Sequence, residues 1–134
     1  MRNAIIFLDS GDTLVDESTE ARIKGDVVDH AEFFTGIKEV LFQLKNAGFR
    51  VALVADGLVE SFDNIYRQHE METYFEVRAI SETVGVCKPA GEMFKTAMEK
   101  MNLEEADKKY IIMIGNNLER DIVGANRMGI TSVL

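Results

Sequence analysis

The stretch FLDSGDTLVD, residues 7–16, closes an apolar run and opens on two aspartates, Asp9 and Asp12, with Gly11 between them and Thr13 behind. A carboxylate directly after the apolar run AIIFL (4–8) calls for a partner. Ser, Gly, Asp and Thr after it are turn-forming residues. The stretch therefore reads as a buried strand ending in a polar loop. Asp12 and Thr13 are open to two readings, as an Asx or threonine turn and as working groups of a site.

Four further apolar runs recur along the chain: RVALVA (50–55), VRAI (77–80), YIIMI (110–114) and ITSVL (130–134). Continuous apolar runs of this length suit strands buried on both faces, as in a parallel sheet. Helical patterns separate them. Ile37, Val40, Leu41 and Leu44 recur at helical spacing before Gly48. Residues 59–70 place Phe62, Ile65 and Tyr66 on one side. GEMFKTAMEKMNL follows Pro89 with Met93, Phe94, Ala97, Met98 and Met101 on a stripe, and LERDIVGANRMG ends at Gly129. Alternating strands and helices predict an α/β fold with right-handed crossovers and a five-stranded parallel sheet. Residues 15–33 lack clear periodicity and are expected to form a short polar flap or insertion. Asp16, Glu17 and Glu20 read there as a solvated acidic face. The chain, 1–134, reads as one domain.

The bulk properties narrow the function classes. Of 134 residues, 46% are hydrophobic and 28% charged, which fits a packed domain rather than a disordered one. A net charge of −8 argues against nucleic acid and anionic membranes as partners. The lone cysteine, Cys87, allows no internal disulfide and agrees with a cytoplasmic setting. No apolar run is long enough to span a bilayer, and the N-terminal residues do not follow the plan of a signal peptide.

Ligands of open α/β sheets bind beyond the carboxyl ends of the strands. Those positions here carry Asp9 to Thr13, then Asp56 and Gly57, then Lys88 a little downstream, then Asn116 with Asp121 one turn on. Carboxylates and a lysine at one sheet edge point to a divalent cation and an anion held together. Mg²⁺ favours one or two carboxylates with waters and phosphate oxygens.

This series resembles the haloacid dehalogenase superfamily over essentially the whole chain. The family's pattern is a strand ending in D-x-D-x-T, a strand ending in Ser or Thr, a lysine before proline, and a strand ending in G-D-x-x-x-x-D. DSGDT, VALVADG, CKPAGEMF and IGNNLERDIVGA stand in those places. The resemblance implies a Rossmann-like three-layer sandwich with little or no cap, and a Mg²⁺-dependent phosphatase. Asp9 would be the nucleophile forming an aspartyl-phosphate, Lys88 its charge partner, and Asp12 a displaced general acid and base. The backbone of Ser10, Gly11 and Thr13, with Asp56 and Gly57, would cradle the phosphate, and Asp9, Gly11, Asn116 and Asp121 would hold the metal. An acid in the first turn of a helix also favours the helix dipole, which leaves a second reading for Asp121.

Three positions depart from the pattern: Gly11 stands where the second aspartate would be, Ala55 where the Ser or Thr would be, and Asn116 where the leading acid of the last motif would be. Two alternatives therefore accompany the phosphatase: a phosphate- or metal-binding protein impaired in turnover, and a dehalogenase or phosphonatase type of hydrolase. The expected substrate is a phosphorylated small molecule or macromolecule, and a homo-oligomer is an expected cover for an open site.

Overall fold

The computed structural model describes residues 3–134. Its centre is β1 (Ile5–Leu8), all four residues buried. Side chains alternate across a strand, and β1 divides accordingly. Ile6 and Leu8 enter one core with Leu41, Leu53, Phe62 and Tyr66; Ile5 and Phe7 enter the other with Val54, Met93, Phe94 and Met113. A sheet that needs cover on both faces gives three layers.

A hairpin follows, β2 (Val15–Lys24) pairing antiparallel with β3 (Val27–Phe33). Then come α1 (Ile37–Asn46), β4 (Arg50–Ala55), α2 (Val59–Gln68), β5 (Val77–Ile80), the single turn α3 (Ser81–Val84) and α4 (Gly91–Lys100). A 3₁₀ turn, Glu105–Tyr110, leads to β6 (Ile111–Ile114). A wide π-type turn, Leu118–Val123, runs into α5 (Gly124–Arg127), and β7 (Thr131–Val133) ends the sheet. The five strands are parallel in the order β5-β4-β1-β6-β7. This is the expected Rossmann-like arrangement.

The helical stripes behave largely as their spacing predicts. Phe62, Ile65 and Tyr66 of α2 are buried, as are Met93, Phe94, Ala97 and Met98 of α4. In α1 only Leu41 is fully buried and Val40 is 48% exposed, so that helix covers less of the sheet than its pattern promises. Two segments differ from expectation. Residues 15–33 form a regular hairpin rather than an irregular flap, and residues 118–129 form a π-type turn plus a short α-helix rather than one helix.

Register sets the site. Leu8 lies level with Leu53 on one side and Ile114 on the other, so β1, β4 and β6 release their chains at one edge. The chain leaves β1 towards β4 and β5, then returns across to β6 and β7. The crevice at such a reversal is where open α/β sheets take ligands.

Candidate active site

Lys88 organises this edge. Its side chain is 1% exposed, and its ammonium donates to Asp9 Oδ1 at 2.9 Å, Asp121 Oδ1 at 2.6 Å and the Val54 carbonyl at 2.8 Å. All three donor positions of the Nζ are thus filled in a dry place. Its backbone N–H donates to Asp56 Oδ1 at 2.9 Å. Asp56, whose charge would oppose a phosphate, is spent on fixing the lysine, and its other oxygen lies 3.8 Å from Arg120.

Asp9 is carried by β1, its N–H donating to the Ile114 carbonyl at 3.0 Å. Its Oδ2 accepts from the Thr13 hydroxyl at 3.1 Å, and the same hydroxyl lies 3.4 Å from Asn116 Oδ1. Burial pushes the Asp9 carboxyl above the ordinary range; Lys88 pulls it back by charge and hydrogen bond, and Asp121 adds to the rise. Asp121, 1% exposed, is held at Oδ2 by the Asn117 N–H at 3.0 Å. The π-type turn makes this possible: Asn117 caps it by accepting the Arg120 N–H, and the Asp121 and Ile122 N–H groups both return to the Asn117 carbonyl. Gly115 is required beneath, since a Cβ there would lie 2.6 Å from the Asp121 Cβ.

The loop after β1 is locked from within. Thr13, Leu14 and Val15 N–H groups donate to the Ser10 carbonyl, and the Asp12 N–H to the Val15 carbonyl. The Gly57 N–H donates to Ser81 Oγ at 2.8 Å. The N–H groups of Thr13 and Gly57 expected for a phosphate cradle are therefore engaged within the fold. Ser10 Oγ turns into the core, 2.7 Å from the buried Tyr66 hydroxyl, whose ionisation burial pushes far up. Asp12 takes the left-handed conformation (φ 56°), which aspartate tolerates in turns. Its Oδ1 accepts the Glu17 N–H at 2.9 Å and so anchors the start of β2.

The hairpin brings one residue that its sequence context did not mark. The Glu17 carboxyl lies over Gly11, where a Cβ would come within 2.9 Å of its Cδ. Partial burial, Asp12, Glu20 and Asp9, in that order, push this carboxyl up. A lone glutamate in a polar stretch carries no positional signal; only the turn-back of the chain makes it a neighbour of residue 11.

Together these groups line a cleft of ≈ 540 Å³ that includes Asp9, Glu17, Lys88, Asn116, Arg120 and Asp121. Among the described residues no group of three or more His, Cys, Asp or Glu side chains could by itself hold a metal ion. A cation here would draw also on the Asn116 amide, backbone carbonyls and waters. No helix among the described residues is long and apolar enough to cross a membrane.

Comparison with known proteins gives a family. Residues 9–134 match the model of the haloacid dehalogenase-like hydrolases. A glyceraldehyde 3-phosphate phosphatase of Pyrococcus abyssi is 34% identical over 99 residues, 73% of this chain and 40% of that protein. Its counterpart in Pyrococcus furiosus is 32% identical over 116 residues, 81% of this chain and 47% of that protein. The chain thus matches less than half the length of these relatives. Among solved structures, an HAD phosphatase from Thermococcus onnurineus superposes with a TM-score of 0.79 at 14% identity, covering 96% of this chain and 84% of that one. A dehalogenase gives the same score at 12% identity, covering 97% and 83%. At such identities the likeness speaks for the fold.

Proposed function

The chain belongs to the haloacid dehalogenase-like hydrolases, and we propose that it hydrolyses a phosphomonoester through an aspartyl-phosphate on Asp9. One observation carries the reading: a buried lysine ammonium clamps Asp9 at the switch point of the sheet, with Asp9 lining the cleft. Asp9 attacks phosphorus and expels the ester oxygen; water then attacks the acyl phosphate and returns the carboxylate. Splitting one displacement in two lowers each barrier. Lys88 holds Asp9 in place and offsets charge on the transferring oxygens, and Thr13 orients the other Asp9 oxygen by its hydroxyl. Most catalysis of this kind is positioning and electrostatics.

The donors suit Mg²⁺. They are all oxygens, and Asp9 Oδ2 and Asn116 Oδ1 already gather about one hydroxyl. Asp9, Asn116 and the Gly11 carbonyl would hold the ion, with Asp121 reaching it through water because both its oxygens are engaged. When bound, Mg²⁺ neutralises phosphate charge. With an amide in place of one carboxylate, the affinity should be weak.

Phosphatase names among the relatives at 32–34% identity favour phosphate esters over halo-acids. The polar cleft favours a small phosphorylated molecule, with a second copy of the chain or another partner as the cover. Hydrolysis of an aryl phosphate, with and without Mg²⁺ and beside Asp9→Asn, tests the proposal. Turnover requires Mg²⁺ and Asp9; equal rates in all arms refute it. A second reading, binding without turnover, draws on Asn116 and Gly11. It predicts that a beryllofluoride mimic binds while a broad panel of esters stays intact.

A further inference from the structure

Resting on the phosphoryl-transfer reading, we propose that Glu17 is the site's proton carrier, delivered over Gly11 by the hairpin. The reaction needs one besides Asp9. An alkoxide leaving group must be protonated, and the water that attacks the acyl phosphate must lose a proton. Apart from Asp26, which sits at the turn between β2 and β3, the other carboxylates lining the cleft have partners. Asp121 accepts from Lys88 and Asn117. Asp56 accepts the Lys88 N–H and faces Arg120. Asp12 Oδ1 holds the Glu17 N–H, and Glu20 pairs with Arg22 at 3.2 Å. Among the described residues, no hydrogen bond or ion pair engages the Glu17 carboxyl.

Gly11 lies directly beneath the Glu17 carboxyl. It is not among the glycines with positive φ, so its backbone does not require glycine. A Cβ at this position would come within 2.9 Å of the Glu17 Cδ, so a side chain at residue 11 and the carboxyl in its present place exclude one another. The loop is built to put it there. The chain folds back on itself, Gly11 bridging Val15, and Asp12 then ties down the Glu17 N–H. A carboxylate two residues after Asp9 in sequence is thereby replaced by one eight residues after it.

The steps balance. As Asp9 forms its bond to phosphorus, the P–O bond to the leaving group breaks with its electron pair on oxygen, and Glu17 gives that oxygen its proton. Water then bonds to phosphorus, its proton passes to Glu17, and the P–Oδ bond breaks to restore Asp9 and release phosphate.

Leaving-group dependence separates this role from a structural one. With the full chain and Mg²⁺, kcat and the pre-steady-state burst are measured on an alkyl phosphate and on an activated aryl phosphate whose phenolate leaves without a proton. Wild type, Asp9→Asn, Asp12→Asn, Glu17→Gln, Glu17→Ala and Glu17→Ala/Gly11→Asp are compared. The expected result is a kcat loss of about 10²–10⁴-fold for Glu17→Gln on the alkyl ester. On the aryl ester a near-wild-type burst should remain, followed by slow turnover, with KM lowered as the phosphoenzyme accumulates. Restoring a carboxylate at position 11 in Glu17→Ala/Gly11→Asp should recover at least about tenfold, a share of that acid–base factor. A burst on the aryl ester lost as fully as turnover on the alkyl ester, no loss on either, or a leaving-group-dependent loss in Asp12→Asn instead would overturn the role of Glu17. Wild type as inert as Asp9→Asn on both esters would overturn the phosphatase reading and this one with it.

Discussion

A buried lysine held by two carboxylates makes the residue at position 88 a structural as well as a chemical element. Removing one partner of a buried ion pair strands the other's charge and costs about 3–5 kcal/mol. Lys88→Ala leaves Asp9 and Asp121 facing each other without a cation, and its unfolding midpoint in urea should fall by a corresponding amount. Asp9→Asn keeps a hydrogen-bond acceptor at the same place and should lose activity with much less stability. Arg120 is different. Its side chain is 56% exposed and its contact with Asp56 is loose, at 3.8 Å, so it is available to a bound anion. Arg120→Ala is expected to raise KM several-fold with kcat and stability nearly unchanged. A fall in kcat at constant KM would show instead that Arg120 acts in the transition state.

At the scale of elements, the hairpin matters through its mooring. The Val28 N–H donates to Ser61 Oγ at 2.9 Å, Asn64 donates to the Val28 carbonyl at 3.0 Å, and the Ala31 N–H donates to Gln68 Oε1 at 3.0 Å. These bonds tie β3 to α2, and β3 holds β2, which carries Glu17. Ser61→Ala leaves a buried N–H without its acceptor, a loss of about 1–3 kcal/mol. Urea titration should show it, and hydrogen exchange should quicken in β2 and β3 ahead of β1. Elsewhere, Arg50 at the start of β4 donates to both Glu76 oxygens just before β5. The hydrogen bond from Arg50 holds Glu76 below its usual 4.5. A lowered carboxylate stabilises above the unfolded value and loses that contribution as pH falls through the folded one. Both partners are over a third exposed, so Glu76→Gln should cost less than about 1 kcal/mol at pH 7, and the difference should vanish in acid.

For the whole molecule, what was legible in the sequence follows from burial. Strands such as IIFL and RVALVA are covered on both faces and announce themselves as unbroken apolar runs. Asp9, Lys88 and Asp121 were legible because the ends of such strands define the ligand edge. The hairpin was not, because only Val15 of β2 is buried and its acidic residues look like any exposed face. Glu17 was hidden for the same reason: its partner is Gly11, and only the folded loop joins them. The π-type turn left no periodic trace, although Asn117 and Gly115, which make it possible, read as turn residues. The hairpin residues Glu17, Glu20, Arg22, Asp26 and Val28 form one wall of the cleft. If a second copy completes the cover, sedimentation at working concentration should give a dimer and dilution should raise KM.

The claim on which the rest depends is that Asp9 takes the phosphoryl group. Mixing the chain with a ³²P-labelled aryl phosphate and Mg²⁺, quenching in acid and mapping the label tests it directly. A hydroxylamine-labile label is expected on the peptide containing Asp9 and absent from Asp9→Asn. Turnover by wild type with no labelled protein, or label of equal yield in Asp9→Asn, would contradict it.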